Sequence, residues 1–272
     1  MHNYSVLMAV YHKEKPEYFK LSIESMLNQT VKTDDFVIVC DGKLTDELDE
    51  VIDFFTKQYR DLFNIVRKEK CEGLGKALNL GITCCKNEII ARMDSDDIAK
   101  SNRMENQLEI YESMDVDMVG ASVEEFADTT DNIIAIRKLP KEHDEIYKFA
   151  KKRNPFNHPC MTFKKTAVLE AGSYMDYPLF EDYYLWARML MKGFKGYNIE
   201  ESLLYMRSGE SMYLRRGGID YTKKMWKFKT KLYKDGFYSF KDYLISVSIH
   251  TVVSLMPNGL RKTFYKKVLR RR

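Results

Sequence analysis

The first 95 residues alternate short apolar runs with longer segments of helical periodicity, and this alternation limits the possible folds more than any other feature of the chain. "YSVLMAV" (4–10) has the length of a strand, and "EYFKLSIESMLNQ" (17–29) follows it with Phe19, Ile23, Met26 and Leu27 on one helical face. "DFVIVCD" (35–41), "LFNIVRK" (62–68) and "EIIARM" (88–93) read as further strands. Between them lie a polar helix over 45–60, with Leu48, Val51, Ile52 and Phe55 at helical spacing, and a glycine-bounded turn into a helix in "CEGLGKALNLGITCC". Strands separated by helices connect through right-handed βαβ crossovers. The expected fold is therefore α/β, a Rossmann-like, mainly parallel sheet flanked by helices on both faces.

With 272 residues, 44% of them hydrophobic, the chain can bury a core as one large domain or one domain plus an appendage, which excludes a disordered protein. Its five cysteines are odd in number and lack C-x-x-C spacing, so they read as reduced thiols of a cytosolic protein rather than a disulfide framework or a zinc site. The start, "MHNYSVLMAVYHKEKP", has neither a basic leader nor a cleavage site, and the mature chain is expected to open at its first strand.

Charge is unevenly distributed. Residues 223–272 hold 14 Lys and Arg against 2 Asp and Glu, a net of +12, which leaves residues 1–222 with 30 against 38, a net of −8. A basic tail points to nucleic acid or to an anionic membrane surface. No nucleic-acid module accompanies it, so nucleic acid is not expected as a partner. Residues 243–256, "YLISVSIHTVVSLM", are apolar over only 14 positions and too short and polar to span a bilayer. The flanks "KKMWKFKTKLYK" and "RKTFYKKVLRRR" mix aromatic with basic residues in the manner of interfacial helices. Docking of the tail on an anionic membrane is the expectation, with packing of 243–256 on the body as the alternative.

In parallel sheets ligands bind beyond the carboxyl ends of the strands. Two of those ends are acidic, Asp41 in "VCDGKLTD" and Asp94 to Asp97 in "MDSDDIA". If the backbone stays extended past Met93, Arg92, Asp94 and Asp96 point to one side. Carboxylates converging on one point need a cation, and Mg²⁺ or Mn²⁺ held by one or two of them keeps positions open for water and phosphate oxygens. A calcium loop would place Asp94, Asp96 and Glu105 at positions 1, 3 and 12, but Ile98 and Ala99 stand at positions 5 and 6. A haloacid-dehalogenase-type phosphatase would use Asp94 as nucleophile and Asp96 as acid, yet Asp97-Ile98 replaces that family's glycine-containing sequence. Capping of the helix in "NRMENQLEIYESM" by Asp97 or Ser101 explains one acid of the three.

Six segments in order, "VLMAVYHKEKPEYFKLSIESMLNQT", "DFVIVCDG", "EGLGKALNLGI", "ARMDSDDIAKSNRMENQ", "NPFNHPCMTFKKTAV" and "FEDYYLWARMLMKG", resemble family 2 glycosyltransferases of the GT-A fold, among them bacterial enzymes that build capsular, exopolysaccharide or O-antigen repeat units. The resemblance covers roughly residues 4–210. It implies a catalytic domain, placed over 1–215; the basic, aromatic-rich helical extension over 216–272 is read from the charge and composition of the tail. It also implies a nucleotide-sugar donor, expected to be a UDP-sugar, a lipid-linked saccharide acceptor, transfer with inversion, and a location at the inner face of the cytoplasmic membrane. A noncatalytic saccharide-binding subunit of the same fold is the alternative.

Within this resemblance Asp94-Ser95-Asp96 matches the D-x-D motif, with Asp96 and Asp94 holding Mg²⁺ or Mn²⁺ on the donor diphosphate. Asp41 matches an aspartate that accepts a hydrogen bond from uracil, Tyr11 a nucleotide-contacting tyrosine, and Lys76 and Arg92 candidate donor contacts. The usual paired aspartates are reduced to Cys40-Asp41, which leaves the ribose contact open. Asp182 in "FED" matches the general base, and Glu181 is assigned to orienting the site or the acceptor. His158 is expected in a rigid acceptor-side loop. Arg207, Arg215 and Arg216 belong to a segment that could close on the diphosphate. Trp226, Phe228, Leu232 and Tyr233 form a stripe read as packing.

Overall fold

The computed structural model describes residues 3–208, 217–257 and 259–261. Its first half is built from β1 (Tyr4–Val10), β2 (Asp35–Cys40), β3 (Phe63–Arg67) and β4 (Ile89–Asp94), all parallel and in the spatial order β3-β2-β1-β4. The connecting helices are α1 (Pro16–Leu27), α2 (Asp46–Gln58) and α3 (Leu74–Cys84). β1, β2 and β4 are buried along nearly their whole length, as strands covered on both faces must be, whereas β3 at the edge is half-buried. Local chemistry starts the helices: Pro16 stands in the first turn of α1, and the Thr45 side chain accepts the Leu48 N–H at the head of α2.

The second half adds β5 (Ile98–Ala99), α4 (Arg103–Ser113), β6 (Met118–Phe126), β7 (Ile133–Arg137), α5 (His143–Ala150), β8 (Thr162–Lys164), α6 (Lys165–Glu170), α7 (Glu181–Met191) and β9 (Gly196–Arg207). The sheet continues from β4 through β8, β6 and β9 to β5, and β7 pairs with β6. β8 runs against both of its neighbours, β9 is parallel to β6, and β5 is antiparallel to β9. The alternation of residues along β1 divides the core. Leu7 faces Leu78, Trp186 and the other apolar side chains of α3, α5 and α7, and Val6 and Met8 face those of α1, α2 and α4.

The C-terminal region forms a helical hairpin of α8 (Ile219–Lys234) and α9 (Phe240–Leu255). Phe228 and Leu232 of α8, with Phe237 and Tyr238 after it, enter the same core as α7. α9 lies antiparallel against α8, joined by Trp226 to Thr251, Thr222 to Ser254 and Thr230 to Tyr243. The expected stripe therefore divides: Phe228 and Leu232 are buried, while Trp226 and Tyr233 stay partly in solvent. Arg215, Arg216 and most of "RKTFYKKVLRRR" lie outside the described residues.

Candidate active site

Register brings the acidic strand ends together. Val10 is opposite Cys40 and Ala9 is opposite Asp94, so Tyr11, Asp41 and the Asp94–Asp97 turn leave the sheet side by side, where strand order reverses around β1. Tyr11 stands partly exposed with its ring edge-on to His12. Asp41 is buried, and both of its oxygens are engaged by the chain itself. Oδ1 accepts from Lys68 Nζ at 2.6 Å and the Glu72 N–H at 3.0 Å, and Oδ2 accepts from the Gly73 N–H at 2.8 Å and Cys71 Sγ at 3.3 Å. Burial alone would raise its pKa; the hydrogen bonds from Lys68, Glu72, Gly73 and Cys71 outweigh burial and hold the carboxyl below its ordinary value. Asp41 thus ties the 68–73 loop to the end of β2.

The backbone turns at Ser95 and Asp96, so strand periodicity ends at Asp94. Arg92 and Asp94 do share one side and form an ion pair. Asp96 joins them through the turn, and carboxylate oxygens of Asp94, Asp96 and Asp97 lie within 4.8 Å of one another. Burial, then the charges of Asp94 and Glu14, push the Asp96 carboxyl up to about 7. Such concentrated negative charge, with oxygen donors alone, fits a hard divalent cation. Asp97 is fully buried, and its Oδ1 accepts the Arg207 N–H at 2.7 Å. Neither Asp97 nor Ser101 caps α4, which begins behind Asn102 without a side-chain cap. Arg207 is built into the same turn: its Nε donates to the Asp96 carbonyl at 3.0 Å, and its guanidinium lies 3.7 Å from the Tyr18 ring centre.

The second acidic pair opens α7. Asp182 Oδ1 accepts the Tyr183 N–H at 2.7 Å, one of the donors a helix start leaves free, and Oδ2 accepts from Asn154 Nδ2 at 2.6 Å. Burial first, and the Asp182 charge second, push the Glu181 carboxyl above its ordinary value. The loop before the helix carries two non-glycine residues with positive φ, Ser173 at 54° and Leu179 at 78°, a strained backbone of the sort that tertiary contacts must hold in place. Asn79 of α3 supplies one such contact. Its side-chain amide donates to the Tyr174 carbonyl at 2.7 Å and accepts the Tyr174 N–H at 2.8 Å. A Cβ on Gly75 would come within 3.4 Å of Tyr174 and 3.8 Å of Glu181. Gly75 and Asn79 of "EGLGKALN" therefore serve close packing of α3 on the approach to α7, whereas Gly73 supplies the positive φ of 99° at the head of the helix. Lys76 sits on the first turn of α3, exposed and 3.0 Å from Glu72.

Arg92 and Tyr174 join the two acidic groups. Burial above all raises the Tyr174 hydroxyl above its ordinary value, the Arg92 charge opposes this and the charges of Asp182, Glu181 and Asp94 add to it, and the Arg92 charge also acts on Glu181. Arg92 is fully buried, with Nε and Nη1 lacking a hydrogen-bond partner, as is Oε2 of Glu181. His158 Nε2 is 2.8 Å from the Tyr174 hydroxyl, and burial together with the Arg92 charge holds its imidazole neutral. Sequence reading passed over Asn154, Tyr174 and Arg103. The first stands in the quoted "NPFNHP" but gives no signal until it meets Asp182. Arg103 is wholly buried, and its guanidinium donates to the carbonyls of Arg92, Pro159 and Met161, which fixes the end of β4.

The family model described as Glycosyl transferase family 2 matches residues 5–172. The chain belongs to glycosyl transferase family 2. This membership sets aside the phosphatase and calcium-loop readings. An Escherichia coli protein named UDP-Gal:alpha-D-GlcNAc-diphosphoundecaprenol beta-1,3-galactosyltransferase is 38% identical over 98% of this glycosyltransferase and 97% of its own length. The amylovoran biosynthesis glycosyltransferase AmsE of Erwinia amylovora is 36% identical over 97% and 98% of the two chains. Among solved structures, the mannosyltransferase PcManGT of Pyrobaculum calidifontis, in complex with GDP-Man and Mn²⁺, superposes with a TM-score of 0.66 at 13% identity, over 96% of this chain and 72% of that one. TarS 1–349 of S. aureus with UDP-GlcNAc gives 0.64 at 13% identity, over 85% and 66%. The GT-A fold expected from the sequence is the fold found.

Proposed function

We propose that this glycosyltransferase moves a hexose or N-acetylhexosamine from a UDP-sugar to a lipid-linked saccharide, with inversion, during assembly of a bacterial surface polysaccharide. The observation that carries this reading is the cluster of Asp94, Asp96 and Asp97, whose carboxylate oxygens lie within 4.8 Å of one another beside Arg92 at the end of β4. The Escherichia coli relative, named for UDP-Gal and a diphosphoundecaprenol-linked sugar, supports the donor and acceptor classes. Asp96 and Asp94 are the residues assigned to Mg²⁺ or Mn²⁺, which when bound supplies Lewis-acid neutralisation of the leaving diphosphate.

Asp182 takes the proton from the acceptor hydroxyl as that oxygen bonds to the anomeric carbon and the bond from that carbon to the diphosphate oxygen breaks. Asn154 and the Tyr183 N–H fix the carboxylate that does this, and in-line placement of the acceptor counts as much as basicity. Glu181 and the free N–H groups of Arg92 are assigned to sugar hydroxyls between the two acids. Tyr11 and Lys76 flank the nucleotide in this reading. Asp41 reaches uracil only if Cys71 yields its place on Oδ2.

A panel of UDP-sugars with purified protein, metal and native lipid extract tests the reaction. Failure of every donor to be hydrolysed or transferred would favour a saccharide-binding subunit. Asp96→Ala is expected to weaken metal-dependent UDP binding roughly tenfold or more, whereas Asp182→Asn spares binding and lowers turnover about 10²–10⁴-fold, since an amide cannot accept the proton. Equal loss of UDP binding in both variants would contradict the division of roles.

A further inference from the structure

Helix α9 is packed inside out. The positions it buries include Ser246 and Ser254, while Phe240, Leu244, Ile245, Ile249, Val252 and Leu255 face outward, each between 46% and 61% exposed. Spacings of three to four residues, with Leu244 and Ile245 adjacent, place them on one continuous face, an apolar ridge. The inward serines are bonded, Ser246 Oγ to Lys229 Nζ and Ser254 Oγ to the Thr222 hydroxyl at 2.7 Å, so the polar contacts of α8 select which face of α9 turns in. No helix among the described residues is long and apolar enough to cross a membrane.

The ridge has a cationic margin. Lys223, Lys224, Lys227 and Lys234 of α8 and Lys241 of α9 are exposed, and Trp226, half-exposed, is held beside the ridge by its Nε1 donating to Thr251 at 2.7 Å. The described hairpin carries 8 Lys and Arg against 3 Asp, and the sequence beyond Arg261 continues "KTFYKKVLRRR". We infer that the outward face of α9, with the lysine margin of α8, is a surface that lies on an anionic phospholipid bilayer, its apolar ridge in the acyl boundary and its ammonium groups among the phosphates. Pairing of the ridge with a second copy of the chain would bring two net-positive hairpins together, which charge disfavours.

The hairpin is rooted at the active site. Phe228 of α8 stacks on Phe180, the residue before Glu181, with ring centres 4.7 Å apart, and Tyr184 donates to Asp235 at 2.7 Å. A bilayer under α9 would hold the acidic start of α7 at a fixed distance from the lipid surface. That use of the surface rests on the lipid-linked acceptor of the preceding section; binding to the bilayer does not, and vesicles free of donor and acceptor test it alone.

Full-length protein is floated with vesicles of phosphatidylcholine alone or enriched in phosphatidylglycerol, at low salt. Wild type is expected to float with the anionic vesicles. Ile249→Glu/Val252→Glu and Lys223→Glu/Lys227→Glu should each reduce binding about tenfold or more, and Phe54→Glu, on an exposed position of α2, should not. Wild-type Trp226 emission gives a readout without mutation, because the chain's second tryptophan, Trp186, is fully buried; anionic vesicles should shift emission to the blue. Wild type that stays in solution with no emission shift, or folded ridge variants that float like wild type, would overturn the inference. So would a dimer that the Ile249→Glu/Val252→Glu change dissolves.

Discussion

Asp96 shows how a carboxyl can be costly to the fold while belonging to a group that could hold a cation. In the folded chain it is pushed up to about 7, mainly by burial and then by Asp94 and Glu14, whereas an unfolded aspartate titrates near ~4. Between those values the folded state keeps a proton that the unfolded state has lost, so metal-free stability falls as pH rises through this window. A divalent cation needs the deprotonated form and reverses that cost. The rise in Tm produced by Mn²⁺ should therefore be larger at pH 8 than at pH 5.5, by roughly 2–4 °C for each tenfold gain in affinity. Thermal melts in EDTA and in Mn²⁺ at the two pH values measure this. A gain of equal size at both would remove Asp96 from the metal site. Arg92, four residues earlier, shows a related cost: its pairing with Asp94 leaves Nε and Nη1 buried without a hydrogen-bond partner.

At the scale of elements, the packing of α8 on α9 depends on a buried lysine. Lys229 is 1% exposed, and its ammonium meets the Tyr238 hydroxyl at 3.2 Å and Ser246 Oγ with no ion pair among the described residues, so burial pushes its pKa down to about 7. The unfolded chain holds that proton up to about 10.4. Stability should accordingly rise with pH from about 7 toward 10, because the unfolded state binds the extra proton there. Lys229→Met removes this dependence. The stability of the variant relative to wild type should be highest below pH 7 and decline by roughly 2 kcal/mol between pH 7 and pH 9. Urea titrations at the two pH values give the comparison, and a constant difference would mean that Lys229 keeps its charge when folded. The start of α7 is held differently, by Asn154 on the Asp182 side chain and by Asn79, a neutral amide that both donates to and accepts from the backbone of Tyr174 in the strained 173–179 loop.

Across the whole molecule, the C-terminal hairpin completes the core as well as extending it. Phe228 packs against Tyr177, Phe180, Tyr183 and Tyr184, so removing the hairpin uncovers the helix that carries Glu181 and Asp182. A chain ending at residue 216 should lose a Tm shift of 10 °C or more, on the order of 2 kcal/mol for each large side chain uncovered, and should bind a dye that reports exposed apolar surface. Calorimetry of the shortened chain decides. Retention of the wild-type Tm would make the hairpin a separable appendage.

Much of the frame was legible because strands buried on both faces must be apolar throughout, and "YSVLMAV", "DFVIVC" and "IIARM" are. The acidic strand end after β4 was visible as a cluster too, and the turn brings carboxylate oxygens of Asp94, Asp96 and Asp97 within 4.8 Å of one another. Long-range contacts decided the rest. Asp97 belongs to the backbone of Arg207, 110 residues away, Asp41 to a loop some 30 residues on, and Asp182 to Asn154, and local sequence marks none of these partners. The apolar content of "YLISVSIHTVVSLM" showed that it needed cover, but a helix has two faces. Contacts with α8, among them Lys229 on Ser246 and Thr222 on Ser254, fixed which one is left outside.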